Sequence, residues 1–186
     1  MARKVNNSSK KPRSSVKGNR PVDSDSPLTF DLSNKNWLKS VNIKNDNYTN
    51  MLRNEKEFID YITQLFHGLI PLIHQNGKEM IKGAGKKWRH CHPVQDEKID
   101  LVQKVTEEIG IDFKSDQDGK KAGPQFWQFG VKGNLRLIAI YDYTNNSLKP
   151  LFIDYHHLIH PSIKYNQLDY ENYSFCPLEE SLKPSL

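Results

Sequence analysis

The chain of 186 residues has the length of one domain of ordinary size with additional tails. Apolar residues make up 36% of it. No run approaches the roughly 20 consecutive apolar residues that a membrane span needs, so we expect no membrane segment. The two cysteines, Cys91 and Cys176, form neither a disulfide framework nor a metal-binding spacing, and no apolar signal segment follows the first residues. These features predict a cytoplasmic protein.

The net charge of +5 is concentrated at one end of the chain. Residues 1–20 contain seven Lys or Arg residues and no acidic residue, which leaves 20 basic and 22 acidic residues elsewhere. The Ser, Asn, Lys and Pro content of residues 1–26 predicts a disordered basic tail. Such a tail attracts phosphate non-specifically, or it is a solvated terminus without function. Both interpretations stay open.

The apolar pattern predicts one α+β domain over residues 27–162 and an irregular extension over residues 163–186. Alternating apolar residues indicate a short first strand within residues 27–32. Later in the domain the apolar period becomes two, and short connections predict antiparallel neighbours. The three predicted strands of this meander are Gln125–Val131, Asn134–Asp142 and Leu151–Tyr155. We therefore expect two or three helices segregated to one face of an antiparallel sheet of three to four strands.

Two helices are predicted between the first strand and the meander. Asn54 is a suitable N-cap, and apolar residues then recur at three- and four-residue steps. Pro71 is expected to kink or end this helix, because proline removes a backbone hydrogen bond. The second helix is expected to follow Pro93 and to end at Gly110.

Five of the seven histidines lie in two short segments, residues 88–93 and residues 154–161. Histidine changes charge near neutral pH, so it serves as general acid, general base, phosphate partner or metal ligand. A metal site is one interpretation, although no known signature of two close ligand pairs is present. Its candidate ligands are His90, Cys91, His92, Asp154 and His157.

Metal-free phosphodiester cleavage is the other chemical interpretation of these residues. It needs a base for the ribose 2′-hydroxyl, an acid for the leaving oxygen and a cation for the phosphate. His92, His157, Asp154 and Arg136 supply these types. Arg136 lies within an apolar strand, where an unpaired charge is costly, so we expect it to face a groove or to pair with a carboxylate such as Asp154. The structural alternatives are an outward-facing arginine and histidines that only hold loops.

Two cations and two aromatic residues are further candidates for contact with nucleic acid. Arg89 and Lys132 are cations close to the candidate site in sequence. Trp127 and Phe129 share one strand face and could stack on bases, as aromatic residues on sheets do in RNA-binding domains. The alternative for these rings is a place in the core.

The motifs of the chain resemble those of a group of small bacterial, plasmid and phage proteins. The matching segments are Arg89-His90-Cys91-His92-Pro93, Phe126-Trp127-Gln128-Phe129, Arg136, Phe152-Ile153-Asp154 and His157-Leu158-Ile159-His160-Pro161. The group is similar in element order to the RelE/ParE toxin superfamily: a strand, two helices, then a meander with basic residues. This resemblance covers residues 27–162.

The resemblance implies an endoribonuclease that acts on messenger RNA without a metal or other cofactor. It also implies RNA or the ribosome and an antitoxin-like protein as partners. In that case Arg136 stabilises the phosphate, His157 or His92 is the acid or base, and Asp154 orients a histidine. Two other hypotheses stay open: a non-catalytic binding or accessory protein of a mobile element, and a metal-dependent enzyme that uses both histidine segments.

Overall fold

The computed structural model describes residues 27–83, 85–111, 125–161 and 170–184. The predicted basic tail, residues 1–26, lies outside the described residues. The helices are α1 (Glu55–Thr63), α2 (Ile70–Ile81), α3 (Asp96–Ile109) and α4 (Pro177–Ser181), and a π-helical segment (Gln64–Leu69) joins α1 to α2. The strands are β1 (Thr29–Phe30), β2 (Asn42–Ile43), β3 (Tyr48–Thr49), β4 (His92–Pro93), β5 (Gln125–Gly130), β6 (Arg136–Asp142) and β7 (Ser147–Asp154).

Five strands form the main sheet, in the order β1-β7-β6-β5-β4, and β2 pairs with β3 in a small separate hairpin. The consecutive strands β5, β6 and β7 are antiparallel neighbours. The mixed class of helices and sheet is confirmed, but the sheet has five strands rather than three or four. Its β1 edge is parallel to β7, which is possible because nearly the whole domain lies between these two strands in the chain.

The first helix begins where its cap was predicted. The side chain of Asn54 accepts a hydrogen bond from the Glu57 backbone N–H at 3.0 Å. Of the two expectations at Pro71, a kink or an end, the end is wrong: the helical chain continues through Pro71 to Ile81. The N–H of Ile70 bonds to the carbonyl of Leu65, five residues back. This wider turn lets the helix continue although proline has no backbone N–H to donate.

Both faces of the main sheet are covered, which corrects the expectation of helices on one face. Buried residues of the π-helical segment and α2 pack with Trp127 and Phe129 on one face. On the other face, buried residues of α3 pack with Phe126, Ile138 and Phe152. Because β5 is apolar on both faces, each face needs a cover. α3 begins at Asp96 and ends against Gly110, as the sequence predicted.

The described part of the C-terminal extension packs onto the domain. Leu52 and Phe175 exchange two backbone hydrogen bonds of 2.9 Å each. The backbone N–H of Ser40 donates to the Cys176 thiol sulfur at 3.3 Å. The ring of Tyr170 stacks on His156 at a centroid distance of 4.0 Å. The five-residue helix α4 follows these contacts.

Two glycines of the long helical segment give a matched test of its packing. A Cβ atom at Gly77 would lie 2.7 Å from Cδ2 of Leu28, closer than real Cβ contacts, whereas nothing lies within 4 Å of a Cβ at Gly68. We expect Gly77→Ala to lower the free energy of unfolding by roughly 1–3 kcal/mol through overpacking. Gly68→Ala should instead raise it by about 0.5–1 kcal/mol through helix propensity. Urea denaturation measures both, and equal effects would contradict this packing.

Candidate functional site

A buried arginine lies at one end of the sheet, on the face covered by α3. Arg136 of β6 is paired directly with Gly130 on one side and with Asp154 on the other. Its side chain is only 2% exposed. A Cβ atom at Gly130 would lie 2.5 Å from Cδ of Arg136 and 2.9 Å from its Nε. The arginine side chain therefore passes over β5 through space that a side chain at position 130 would fill.

The guanidinium is held mainly by backbone carbonyls of the turn between β5 and β6. Its Nη1 donates to the carbonyl oxygens of Gly133 at 2.7 Å, Leu135 at 2.8 Å and Val131 at 3.3 Å. Its Nη2 lies 3.4 Å from Nδ1 of His90, and its buried Nε has no hydrogen-bond partner. Arg136 thus lies inside the fold and fastens this turn, and does not face an open groove.

Asp154 is the carboxylate nearest to Arg136 in the sheet register, and it is 0% exposed. Its Oδ1 accepts a hydrogen bond from the Leu158 backbone N–H at 3.0 Å, and its Oδ2 accepts one from Ile159 at 2.9 Å. These bonds close the turn after β7, in which His157 has a positive φ of 60°. Asp154 therefore places the second histidine segment through its backbone.

Burial and charge act in opposite directions on this buried pair. Burial raises the pKa of Asp154 to about 6, and the backbone hydrogen bonds and the Arg136 charge oppose that rise. Burial also lowers the pKa of Arg136, while the Asp154 charge raises it. At neutral pH the carboxylate is thus ionised beside a permanently charged guanidinium.

The two histidine segments meet beside Arg136. His90 contacts the guanidinium, and the rings of His92 and His160 pack edge to face with centroids 5.3 Å apart. The charges of Arg136 and of the other three histidines lower the pKa of His157, which places all these groups within electrostatic range. We call this set, which is His90, His92, His157 and His160, the histidine cluster.

Three members of the histidine cluster have a lowered pKa. Burial is the largest cause for each of them. The pKa of His157 and of His160 falls to about 4, and that of His90 falls below its ordinary value with Arg136 as the second cause. These rings are therefore neutral at pH 7, so they can accept protons and cannot act as ready acids.

Hydrogen bonds fix two of the rings. The Nδ1 of His92 lies 2.8 Å from the Pro93 carbonyl oxygen, and its Nε2 lies 3.3 Å from the amide nitrogen of Gln128. The Nε2 of His90 accepts a hydrogen bond from Nε of Arg89 at 3.0 Å. A neutral imidazole has only one nitrogen with a free lone pair, so His90 accepts from Arg89 or from Arg136 but not from both together.

The candidate nucleic-acid contacts fall in two different environments. Arg89 and Lys132 are exposed, and both lie next to the site: Arg89 bonds to His90, and Lys132 belongs to the turn that Arg136 fastens. Trp127 lies in the core instead, 3% exposed and stacked on Phe129 at 5.8 Å. The burial of both apolar faces of β5 leaves no face of this ring for a base.

The candidate metal ligands are only partly brought together. Cys91 is buried and donates to the Gly130 carbonyl at 3.4 Å, and both carboxylate oxygens of Asp154 bind backbone amides. Among the described residues, no three His, Cys, Asp or Glu side chains are placed to hold one metal ion.

Sequence reasoning missed two polar residues at the site. His160 lies in the second histidine segment but was not chosen, and its Nε2 is buried without a hydrogen-bond partner. The other residue is Gln128, and a glutamine within an otherwise apolar run of the strand is the sequence signal that could have identified it. It is 1% exposed and contacts His92.

The family model that matches residues 33–183 is described as Uncharacterised protein UU032. The chain belongs to this family. A relative of that name from Ureaplasma parvum serovar 3 (strain ATCC 700970) is 29% identical over 185 residues, which cover 97% of this chain and 96% of the relative. No solved structure matches the chain. No helix in the described residues is long and apolar enough to cross a membrane.

The space over Gly130 can be tested directly. Gly130→Ala places a Cβ atom 2.5 Å from Cδ of Arg136, so the arginine side chain must shift, and we expect it to lose hydrogen bonds to its carbonyl partners. We expect a loss of roughly 2–4 kcal/mol in the free energy of unfolding, because a buried cation then lacks hydrogen bonds. Urea denaturation measures the loss, and Gly68→Ala is the control for a glycine with free space. A neutral Gly130→Ala would contradict the packing.

The buried carboxylate predicts a pH-dependent difference in stability. Because folding raises the pKa of Asp154 from 3.8 to about 6, its contribution is full below pH 3.8 and is lost as pH rises through 6. This loss is on the order of 3 kcal/mol. Asp154→Asn does not titrate, so the stability advantage of the native protein over this variant should shrink between pH 4 and pH 7.

Protonation of the histidines changes the free energy of unfolding with pH in the opposite direction. This effect cancels in the comparison of the native protein with Asp154→Asn. Their lowered pKa makes His157 and His160 destabilising as pH falls from 6.5 towards 4, and both proteins contain them. Urea denaturation at pH 4, 5, 6 and 7 gives the difference at each pH. A constant difference would contradict a raised pKa at Asp154.

Proposed function

We propose that this protein is a metal-independent endoribonuclease and that the histidine cluster is its active site. One observation carries the proposal: two histidine segments more than 60 residues apart in sequence meet at one end of the sheet, beside a buried cation. Neutral imidazoles next to exposed cations are the groups that metal-free cleavage of RNA requires. A purely structural role would not need four histidines at one place.

His92 is the proposed general base. Its Nδ1 lies 2.8 Å from a carbonyl oxygen, which can only accept, so Nδ1 holds the proton and Nε2 has the lone pair. The contact of Nε2 with Gln128 is long, at 3.3 Å, and can be exchanged for a ribose hydroxyl. The ring is only partly buried, which gives a substrate access.

The proposed reaction transfers the phosphoryl group within the RNA. His92 Nε2 takes the proton of the 2′-hydroxyl, the 2′ oxygen bonds to phosphorus, and the bond from phosphorus to the 5′ oxygen breaks. The departing 5′ oxygen takes a proton from water. The products are a 2′,3′-cyclic phosphate and a 5′-hydroxyl end, and the imidazolium then returns its proton to solvent.

The cations divide between two roles in this proposal. Arg89 and Lys132 are exposed beside the cluster and contact the RNA phosphates. Arg136 is enclosed, so it does not touch phosphate. It acts through its positive charge, which keeps neighbouring imidazoles neutral, and through the turn that carries Lys132.

The proposal includes a fold of the RelE type and the partners that such a fold implies. The order of elements supports it: a short strand, helices, and three antiparallel strands with Lys132 and Arg136 at one end. Because no solved structure matches, the fold relationship rests on this element order alone. An antitoxin-like protein and the ribosome or free RNA are the proposed partners, and the cytoplasm is the proposed location.

A non-catalytic binding or accessory protein of a mobile element is the second candidate. It is favoured by the enclosure of Arg136, because the strongest cation of the site cannot stabilise a reacting phosphate. In this case the exposed cations bind a polyanion and the histidines hold the two segments together. Replacing His92 would then leave the function unchanged as long as the protein folds.

Growth and RNA cleavage test the endoribonuclease. We expect expression of the native protein to arrest bacterial growth, and purified protein, with or without ribosomes, to cleave a 5′-labelled RNA in the presence of EDTA. His92→Ala should lower cleavage by about 100-fold or more, the usual size of a general-base effect. His67→Ala is the control, because His67 is exposed on the π-helical segment, away from the cluster. Intact RNA in every native sample would contradict the proposal.

A further inference from the structure

A buried glutamine faces the proposed base across the strand pair. Gln128 and His92 are directly opposite each other where β4 pairs with β5, so their side chains lie on the same face of the sheet. Gln128 is 1% exposed, and its neighbours in the strand, Phe126 and Phe129, are buried apolar residues. A buried amide is costly unless it is paired, so the contact with His92 needs an explanation of its own.

The hydrogen bonds around His92 determine the orientation of this amide. Because the Pro93 carbonyl accepts from Nδ1, the neutral ring presents the Nε2 lone pair to Gln128. Only the NH₂ group of Gln128 can bond to a lone pair, so the amide nitrogen faces His92. The other end of the amide, Oε1, is buried and has no hydrogen-bond partner.

Protonation of His92 reverses these requirements. The imidazolium carries a proton on Nε2 as well, and this N–H faces the NH₂ group of Gln128 as donor against donor. Rotation of the amide by about 180° removes the conflict, because Oε1 then accepts from Nε2. The orphaned acceptor thus acquires a partner only when the ring is charged. A glutamine can serve both states of the ring, whereas a carboxylate or an apolar side chain cannot.

We infer that Gln128 is a positioning residue that holds His92 as the Nδ1–H tautomer before proton transfer and turns its amide to bind the imidazolium afterwards. The catalytic part of this inference rests on the proposed endoribonuclease activity, whereas the tautomer and the amide rotation do not. The titratable and charged groups that act on the same histidine cluster are His90, His157, His160, Arg89, Arg136, Glu97 and Lys98.

Two substitutions separate the two functions of the amide. Gln128→Met keeps the length of the side chain and removes both donor and acceptor. Gln128→Glu keeps the acceptor and removes the donor. Gln125→Met is the matched control, because Gln125 lies in the same strand but bonds to Trp127 and Tyr143 rather than to His92. Far-ultraviolet circular dichroism and urea denaturation establish that each variant is folded.

Nitrogen-15 NMR of the histidine rings is the first readout. At a pH at which the native ring is neutral, we expect the native protein and Gln125→Met to carry the single proton of His92 on Nδ1. Gln128→Glu should show protons on both nitrogens, and Gln128→Met should lose the fixed tautomer. If Gln128→Glu does not fold, the nitrogen-15 spectrum of Gln128→Met alone tests the inference. A native ring with its single proton on Nε2, or a Gln128→Met ring that keeps the native tautomer, would overturn the inference.

Cleavage of the 5′-labelled RNA at several pH values is the second readout. We expect Gln128→Met to lower kcat by about tenfold, with KM within about twofold, because proton transfer is affected and binding is not. Gln128→Glu should move the acid limb of the kcat profile to higher pH, whereas Gln125→Met should match the native protein. An unchanged kcat in folded Gln128→Met would overturn the catalytic part. Inactive native protein would overturn the proposed function, and with it the catalytic part, while the NMR result still decides the tautomer.

Discussion

The enclosure of the Arg136 guanidinium by the turn between β5 and β6 is the interaction on which the rest of the site depends. A buried cation is expensive, and this one is balanced by three carbonyl oxygens and by the Asp154 charge. Those contacts exist only because position 130 has no side chain. One missing Cβ atom thus allows the arginine to cross β5, fasten the turn and reach the segment that carries His90.

Burial, with the charge of Arg136 as a further cause, explains why so many histidines can share one place. At neutral pH the site contains two opposite charges, Arg136 and Asp154, and imidazoles that are kept uncharged mainly by burial and further by the Arg136 charge. On acidification the carboxylate of Asp154 loses its charge near pH 6, and His157 and His160 gain theirs at lower pH, near 4. The site then passes from a nearly neutral arrangement to several like charges around a buried cation. Acid should therefore open this end of the sheet before it affects the apolar cores.

The sequence predicted the elements that depend on local patterns. The cap at Asn54, the stop at Gly110 and the three antiparallel strands follow from capping chemistry, glycine conformation and period two. The π-helical segment before Pro71 and the cover on both sheet faces were not predicted, because both depend on tertiary packing. The burial of Trp127 was not predicted for the same reason. Alternation shows which residues share a face of the sheet but not what covers that face.

For the candidate site, the sequence indicated which residue types could act together, but not whether their segments meet or how deeply each residue lies. The meeting of both histidine segments beside Arg136 depends on the tertiary arrangement, and the enclosure of Arg136 depends on Gly130, a residue of the neighbouring strand. The exposed and the enclosed cations of the site should therefore respond differently to salt. Salt screens the exposed cations Arg89 and Lys132, so RNA affinity should depend on ionic strength. Salt screens the enclosed charge of Arg136 far less, so the protonation of the histidine cluster should not depend on ionic strength.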